Sequence, residues 1–210
     1  MPSTASARRK RKPANRYHHG DLRRSLIDEA ARTIQDEGVA HLTLRTVGER
    51  LGVSRTALYR HFSDKQALLA AVGREGFVTL RAALTGAWEG AGRGRAGFEA
   101  MGMAYVRFAV DHPSHYRVMF GGFVESCAKD AEFTAAAAAA FDVLVASIVE
   151  QQQAGTVRSD DPQLVARFIW AAVHGTAMLA IDGQLRGVDE QGEALSLYAT
   201  GRLRAAIAAA

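Results

Sequence analysis

The stretch from Thr43 to Lys65, TLRTVGERLGVSRTALYRHFSDK, constrains this chain more than any other. Two short helical patterns meet in it across Gly52. Thr43 is suited to cap the first, in which Leu44, Val47 and Leu51 fall at i, i+3 and i+7 on one helix face. The second starts at Ser54, again a capping residue, and sets Ala57, Leu58 and Phe62 on its inner side. Gly52 supplies the φ > 0 that a tight turn requires, with Leu51 and Val53 beside it to tuck underneath. The spacing predicts a helix-turn-helix.

The outward residues of the second helix are Arg55, Thr56, Tyr59, Arg60 and His61, hydrogen-bond donors of different reach gathered near one helix N-terminus. A helix that enters the major groove needs short or forked polar groups for base edges and flanking donors for phosphates. An ordinary solvated hairpin also turns charged groups outward, so the pattern alone leaves both readings open. Charge distribution favours the first. Residues 1–65 carry 14 Lys and Arg against 7 Asp and Glu, whereas the remainder carries 12 against 15. A basic half joined to a mildly acidic one is the electrostatic footprint of a nucleic-acid-binding module attached to something else.

The rest of the chain reads as helices. Residues 1–16 hold six Lys and Arg and no acid, with no apolar periodicity. They predict a disordered arm that adds phosphate or minor-groove contacts, or else a solvated tail. Asp21 looks like a cap for a helix from Leu22, whose stripe runs through Leu26, Ile27, Ala30 and Ile34 to Gly38. Ser63 or Asp64 opens a long helix through Leu68, Phe77, Leu80, Leu84 and Trp88, and the glycine-rich stretch 90–97 predicts a loop. Further helices are expected over 98–110, 114–120, 130–153 and 160–182, the last opened by Asp160-Asp161-Pro162, and from about Glu190 onward. In that last helix Leu195, Ala199, Leu203 and Ile207 recur every four residues, with Gly201 and Ala206 permitting close approach.

Once these residues are set out, the segment 22–77 resembles the N-terminal DNA-binding domain of TetR-family transcriptional regulators. The matching pieces are the first helix ending in Gly38, the run TLRTVGERLGVSRTALYRHF, and the SDKQALL that opens the fourth helix. The resemblance implies an all-α protein: a basic arm at 1–16, a three-helix DNA-binding domain at 17–66, and a helical ligand-binding and dimerisation domain at 67–210. Trp170 to Gly175 shows a W-x-x-x-H-G pattern, similar to that of one subclass of the family's C-terminal domains. Trp170, His174, Ala177 and Ile181 share one face of their helix, and Val165, Phe168, Ala172, Gly175 and Leu179 another; one is expected to meet the domain core and the other a second subunit.

The expected partners are double-stranded DNA carrying a palindromic operator, a second copy of the chain, and an unidentified small-molecule effector. Base contacts are assigned to Arg45, Ser54, Arg55 and Thr56, and phosphate contacts to Thr43, Tyr59, His61 and Lys65. The effector pocket is assigned to Met101, Tyr105, Phe108, Phe120, Trp170, His174 and Met178, a set that helical spacing alone equally suits to a plain core. No P-loop, GxSxG, HExxH or zinc-spaced Cys/His set is present, so no enzyme activity, cofactor or metal is expected. Asp111, His112 and His115 form a weak metal candidate at a proline-broken helix end. A single cysteine, Cys127, fits a reducing cytoplasm and reads as inert rather than as a redox sensor. No run approaching the roughly 20 apolar residues of a membrane span stands out. The rival readings are a helical ligand-binding or enzymatic protein with an incidental basic N-terminus, and a protein that coats DNA without regard to sequence.

Overall fold

The structure, a computed structural model, describes residues 22–209. The basic arm and the Asp21 cap lie outside the described residues. Helix α1, Leu22–Glu37, buries Leu26, Ile27, Ala30, Thr33 and Ile34, and a short 3-10 turn, Val39–His41, follows it. Helix α2, Leu44–Leu51, is fastened by a reciprocal cap: the Thr43 hydroxyl accepts the Thr46 amide and the Thr46 hydroxyl accepts the Thr43 amide, both at 3.0 Å. Gly52 takes φ 67, the left-handed value the turn needs, and Ser54 caps α3, Arg55–Tyr59. Burial of Leu44, Val47, Leu58 and Phe62 closes the small core over α1.

A polar clamp reinforces that core. The Arg50 guanidinium, on α2, donates to Glu29 at 3.3 Å and to the Thr33 hydroxyl at 3.1 Å on α1, and also pairs with Glu37. Glu29 is only 8% exposed, so its carboxylate depends on Arg50 and on Arg32, which donates at 2.9 Å, in place of water.

Helix α4, Lys65–Gly90, is the long connector, capped by Asp64, which accepts the Ala67 amide at 2.8 Å. It packs on α1 and also on α5 (Gly94–Asp111), α6 (Pro113–Phe120), α7 (Val124–Cys127) and α8 (Ala131–Gln153). Helices α9 (Pro162–Ile181) and α10 (Glu193–Ile207) complete the second layer, α9 against α5 and α8, α10 against α5 and α9. No strand occurs among the described residues; one isolated bridge joins Val157 to Ala208.

Several expectations shift. The loop expected over 90–97 shrinks, because α5 already starts at Gly94: a Cβ on Gly97 would stand 2.9 Å from the Trp88 carbonyl, and the missing side chain lets α5 turn straight back along α4. The one-turn helix α7 carried no periodic signal. The final helix starts at Glu193, where the Asp189 carboxylate accepts the Leu195 amide at 2.8 Å. Its Leu203 and Ile207 face inward and are buried, so that half of the four-residue repeat serves the subunit's own core. Contrary to the hydropathy reading, α8 and α9 are each long and apolar enough, by length and composition, to cross a membrane. In this fold α8 lies along α4, and α9 buries Val165, Ala166, Ile169, Val173 and Ala177.

Arg50→Met keeps the helix propensity and most of the aliphatic bulk but leaves Glu29 with Arg32 alone, takes the donor from the Thr33 hydroxyl and unpairs Glu37. It is expected to cost about 1–3 kcal/mol and to lower the thermal midpoint by several degrees. An unchanged midpoint in calorimetry would show that the clamp contributes nothing.

Candidate functional site

The outward surface of the helix-turn-helix is set by its caps. Ser54 uses its hydroxyl oxygen to accept the Ala57 amide at 3.2 Å, which leaves its proton free to donate, and the same cap aims Arg55 and Thr56 into solvent at the start of α3. The Arg55 guanidinium stands 5.4 Å from the centre of the Tyr59 ring, and Tyr59 is 47% exposed, a large price in apolar surface for a residue with no packing role there. Arg60 and His61 are exposed beside it. Thr43 and Arg45 lie at the start of α2; Thr43 is engaged in its cap, and Arg45 folds onto Glu49 at 2.7 Å, a solvent-exposed pair that a phosphate or base edge can displace.

Lys65 departs from the expectation. Its ammonium donates to the Val39 carbonyl at 2.8 Å and is partly buried, so it ties the start of α4 to the turn after α1 instead of standing ready for a phosphate. That carbonyl also accepts the Leu42 amide at 3.3 Å within the 3-10 turn, so Lys65 is its second donor, and sequence reading has no means to pair residues so far apart.

The second site is a cavity of about 260 Å³ inside the C-terminal helices, walled by Phe77, Leu80 and Leu84 of α4, Phe98, Met101 and Tyr105 of α5, Phe120 of α6, Phe141 and Leu144 of α8, and Trp170 and Val173 of α9. Its lining is overwhelmingly apolar. Of the residues assigned from sequence, Met101, Tyr105, Phe120 and Trp170 line it. Phe108 is buried behind the wall, its ring 5.1 Å from His112 and 6.5 Å from Tyr116. His174 also sits behind the wall. Met178 is a correction: it lies on the outer face of α9, because one step beyond the inward Ala177 rotates a helical side chain by about 100°. The α4 and α8 lining residues carry only ordinary helical spacing, which does not distinguish a hollow neighbour from a filled one.

Four polar side chains, Tyr105 and Trp170 in the wall and Tyr116 and His174 behind it, satisfy one another. Trp170 Nε1–H donates to the Tyr105 hydroxyl at 2.8 Å, and the Tyr116 hydroxyl lies 3.0 Å from that of Tyr105 and 2.6 Å from His174 Nδ1. Tyr105 itself is 3.2 Å from the same nitrogen. The chain of donors closes only if Nδ1 accepts, which requires neutral His174 with its proton on Nε2. Burial lowers the His174 pKa and so favours that form. Burial likewise pushes both tyrosines above their ordinary range, so neither ionises.

The helix that carries Tyr116 also meets the DNA-binding half. His115 of α6 lies against α4 at Gly76 and near Arg24 and Asp28 of α1; burial first, then the neighbouring His112 and Arg24 charges, push it down to about 4. Arg24 reaches Glu75 of α4 at 2.7 Å across the same junction. His112 and His115 have ring centres 5.9 Å apart, and among the described residues no group of three His, Cys, Asp or Glu is placed to hold a metal.

A capped helix-turn-helix with outward donors, joined through one helix to a helical domain with an internal cavity, defines a DNA-binding regulator as its class. The comparisons agree. The family model for bacterial regulatory proteins of the tetR family matches residues 26–72, and that for the tetracyclin repressor-like C-terminal domain matches residues 98–202. The chain belongs to the TetR family of transcriptional regulators. It is 43% identical over 58 residues to the tetracycline repressor protein class C of Escherichia coli, a match covering 28% of this chain and 26% of that repressor. It is 27% identical over 172 residues to the uncharacterized HTH-type transcriptional regulator Rv0681 of Mycobacterium tuberculosis, covering 80% of this chain and 73% of the relative. Among solved structures, a protein of unknown function from Rhodococcus sp. RHA1 superposes with a TM-score of 0.80 at 34% identity, covering 93% of this chain and all of that one.

His115 gives the junction a pH dependence. Unfolded, its imidazole titrates near 6.5; folded, at about 4. Between those values the unfolded chain holds the extra proton, so the contribution is present above pH 6.5 and is lost as pH falls towards 4. Thermal midpoints measured across that window are expected to fall less steeply in His115→Gln than in the parent chain; parallel curves would show that His115 does not titrate in this way.

Proposed function

We propose that the chain is a homodimeric repressor whose hold on a palindromic operator is relieved when a small molecule occupies the cavity. The observation that carries this reading is the double duty of α4: Phe77, Leu80 and Leu84 wall the cavity, while its first residue, Lys65, is bonded to the turn that follows α1. A ligand that prefers a different position of α4 therefore changes the placement of the recognition helix. It weakens DNA binding by its differential affinity for the two positions, and DNA weakens ligand binding by the same factor.

In this reading the units are the arm at 1–16, the DNA-binding domain at 17–66 and the effector and dimerisation domain at 67–210, with α4 beginning at the boundary. Arg45, Ser54, Arg55 and Thr56 read base edges; Thr43, Tyr59 and His61 hold phosphates. Lys65 acts by positioning α4. The dimer face is the outer side of α9 and α10: Leu164, Phe168, Met178, Leu197 and Tyr198 are all exposed there. Gly175 lies among them with no atom within 4 Å of where its Cβ would be, which suits close approach by a second helix. Two helices from each subunit make a four-helix interface, and its two-fold axis sets the recognition helices about 34–36 Å apart, one turn of DNA. Trp170 and His174, both committed to the buried network, with Gly175 facing outward, support placing the chain in the W-x-x-x-H-G subclass.

The test is competition at physiological salt between duplex from the region upstream of the chain's own gene and random duplex. A preference of about 10³-fold or more is expected. Tyr59→Ala is expected to lower operator affinity roughly tenfold with an unchanged circular dichroism spectrum. Loss of helicity in the variant would make Tyr59 a structural residue and remove it from the interface.

A further inference from the structure

We propose that the effector is an amphipathic organic anion: a compact apolar body ending in a carboxylate or comparable acidic group that pairs with Arg167. This rests on the cavity being the effector site and specifies what that site selects. Arg167 is the only Lys, Arg, Asp or Glu in the twenty residues of α9 and, among the described residues, the only charged one that lines the cavity. Its guanidinium lies 5.8 Å from the centre of the Phe141 ring, itself part of the wall, and the residue is exposed, which puts it at the mouth.

What singles it out is that every other polar group on the lining is already committed. Trp170 Nε1–H donates to Tyr105 at 2.8 Å, and the Tyr105 hydroxyl lies within 3.0 Å of Tyr116 and 3.2 Å of His174 Nδ1. The Thr200 hydroxyl donates to the Ser196 carbonyl at 2.8 Å. A ligand that engaged these groups would have to break bonds already made, and leave a buried partner unpaired. Arg167 has five N–H donors, and its one hydrogen bond among the described residues is a long 3.4 Å contact to the Gln163 carbonyl of its own helix. Arg74, Arg95, Arg107 and Arg117, on the other helices that wall the cavity, are each paired with a carboxylate; Arg167 is set at the rim of an apolar hole with a planar fork suited to carboxylate geometry. An apolar body removes the lining from water, and the acidic end replaces the solvent that Arg167 now holds. A cationic ligand is repelled at the same point.

The experiment uses three probes of one shape and three charges, decanoate, 1-decanol and decylamine, titrated into the full-length protein with calorimetry and intrinsic tryptophan fluorescence, to which Trp88 and Trp170 both contribute, as readouts. Decanoate is expected to bind at least about tenfold more tightly than decanol, with decylamine weakest. In Arg167→Gln the advantage of decanoate is expected to vanish while decanol binding is unchanged, and because Arg167 is exposed the variant's thermal midpoint should match the parent's. Equal binding of decanoate and decanol by the parent, or an advantage that survives in Arg167→Gln, overturns the anionic class while leaving the cavity as the effector site. Failure of all three probes to bind overturns both the class and the cavity reading on which it rests.

Discussion

Helix α4 belongs to two cores at once, and the rest of the molecule depends on that constraint. Its 26 residues form a rod about 39 Å long that begins at the DNA-binding half and ends beside α5. Close-packed interiors respond to a displaced element by moving it as a body, not by absorbing the shift locally. In the proposed mechanism a side chain pushed outward at Leu80 or Leu84 is felt where Asp64 caps the helix and where Lys65 holds the Val39 carbonyl. The same reasoning explains why the Arg50 clamp lies in the small half: three elements over a core as thin as Leu26, Ile34, Val47 and Leu58 need a polar tie if they are to travel as one body.

The four-residue polar network does comparable work for the large half. Tyr105, Tyr116, and the pair Trp170 and His174 come from α5, α6 and α9 respectively, so one set of hydrogen bonds locks three helices around the cavity. A fully satisfied network in a low-dielectric interior is strong, and an incomplete one is costly. Neutral His174 is thus a structural requirement, and burial supplies it. The cavity can be hollow because the wall does not rely on its own filling to stay in place; the T-shaped contacts of Phe77 with Phe120 and Phe133, both at 5.4 Å, add to that rigidity from the α4 side.

How much was legible follows from which signals are local. Thr43, Gly52, Ser54 and Asp64 each act within four residues of themselves, so the helix-turn-helix and the start of α4 were readable down to the caps. Helical periodicity likewise told that Trp170 and His174 share a face. It does not tell what that face meets, and this is why Phe108 and His174 were assigned to a lining they stand behind, and why Met178 was set inside. Sequence reading assigns Lys65 to a phosphate because its partner in the fold, the Val39 carbonyl, is a backbone atom 26 residues away along the chain. Arg167 did carry a signal, a lone charge in an otherwise apolar helix, but exposed arginines on helices are common, and only the cavity beside it gives the charge a meaning. The glycine-rich stretch after α4 reads as a loop on composition; that Gly97 exists to let α5 touch Trp88 is visible only in three dimensions.

The central claim, that two copies of α3 read one symmetric sequence, is tested most directly by selecting bound molecules from a library of random duplexes and sequencing them. The account predicts enrichment of a two-fold symmetric sequence whose half-sites are centred about one helical turn, 10–10.5 base pairs, or a multiple of it apart. Recovery of no common sequence, or of a single asymmetric element, would contradict it.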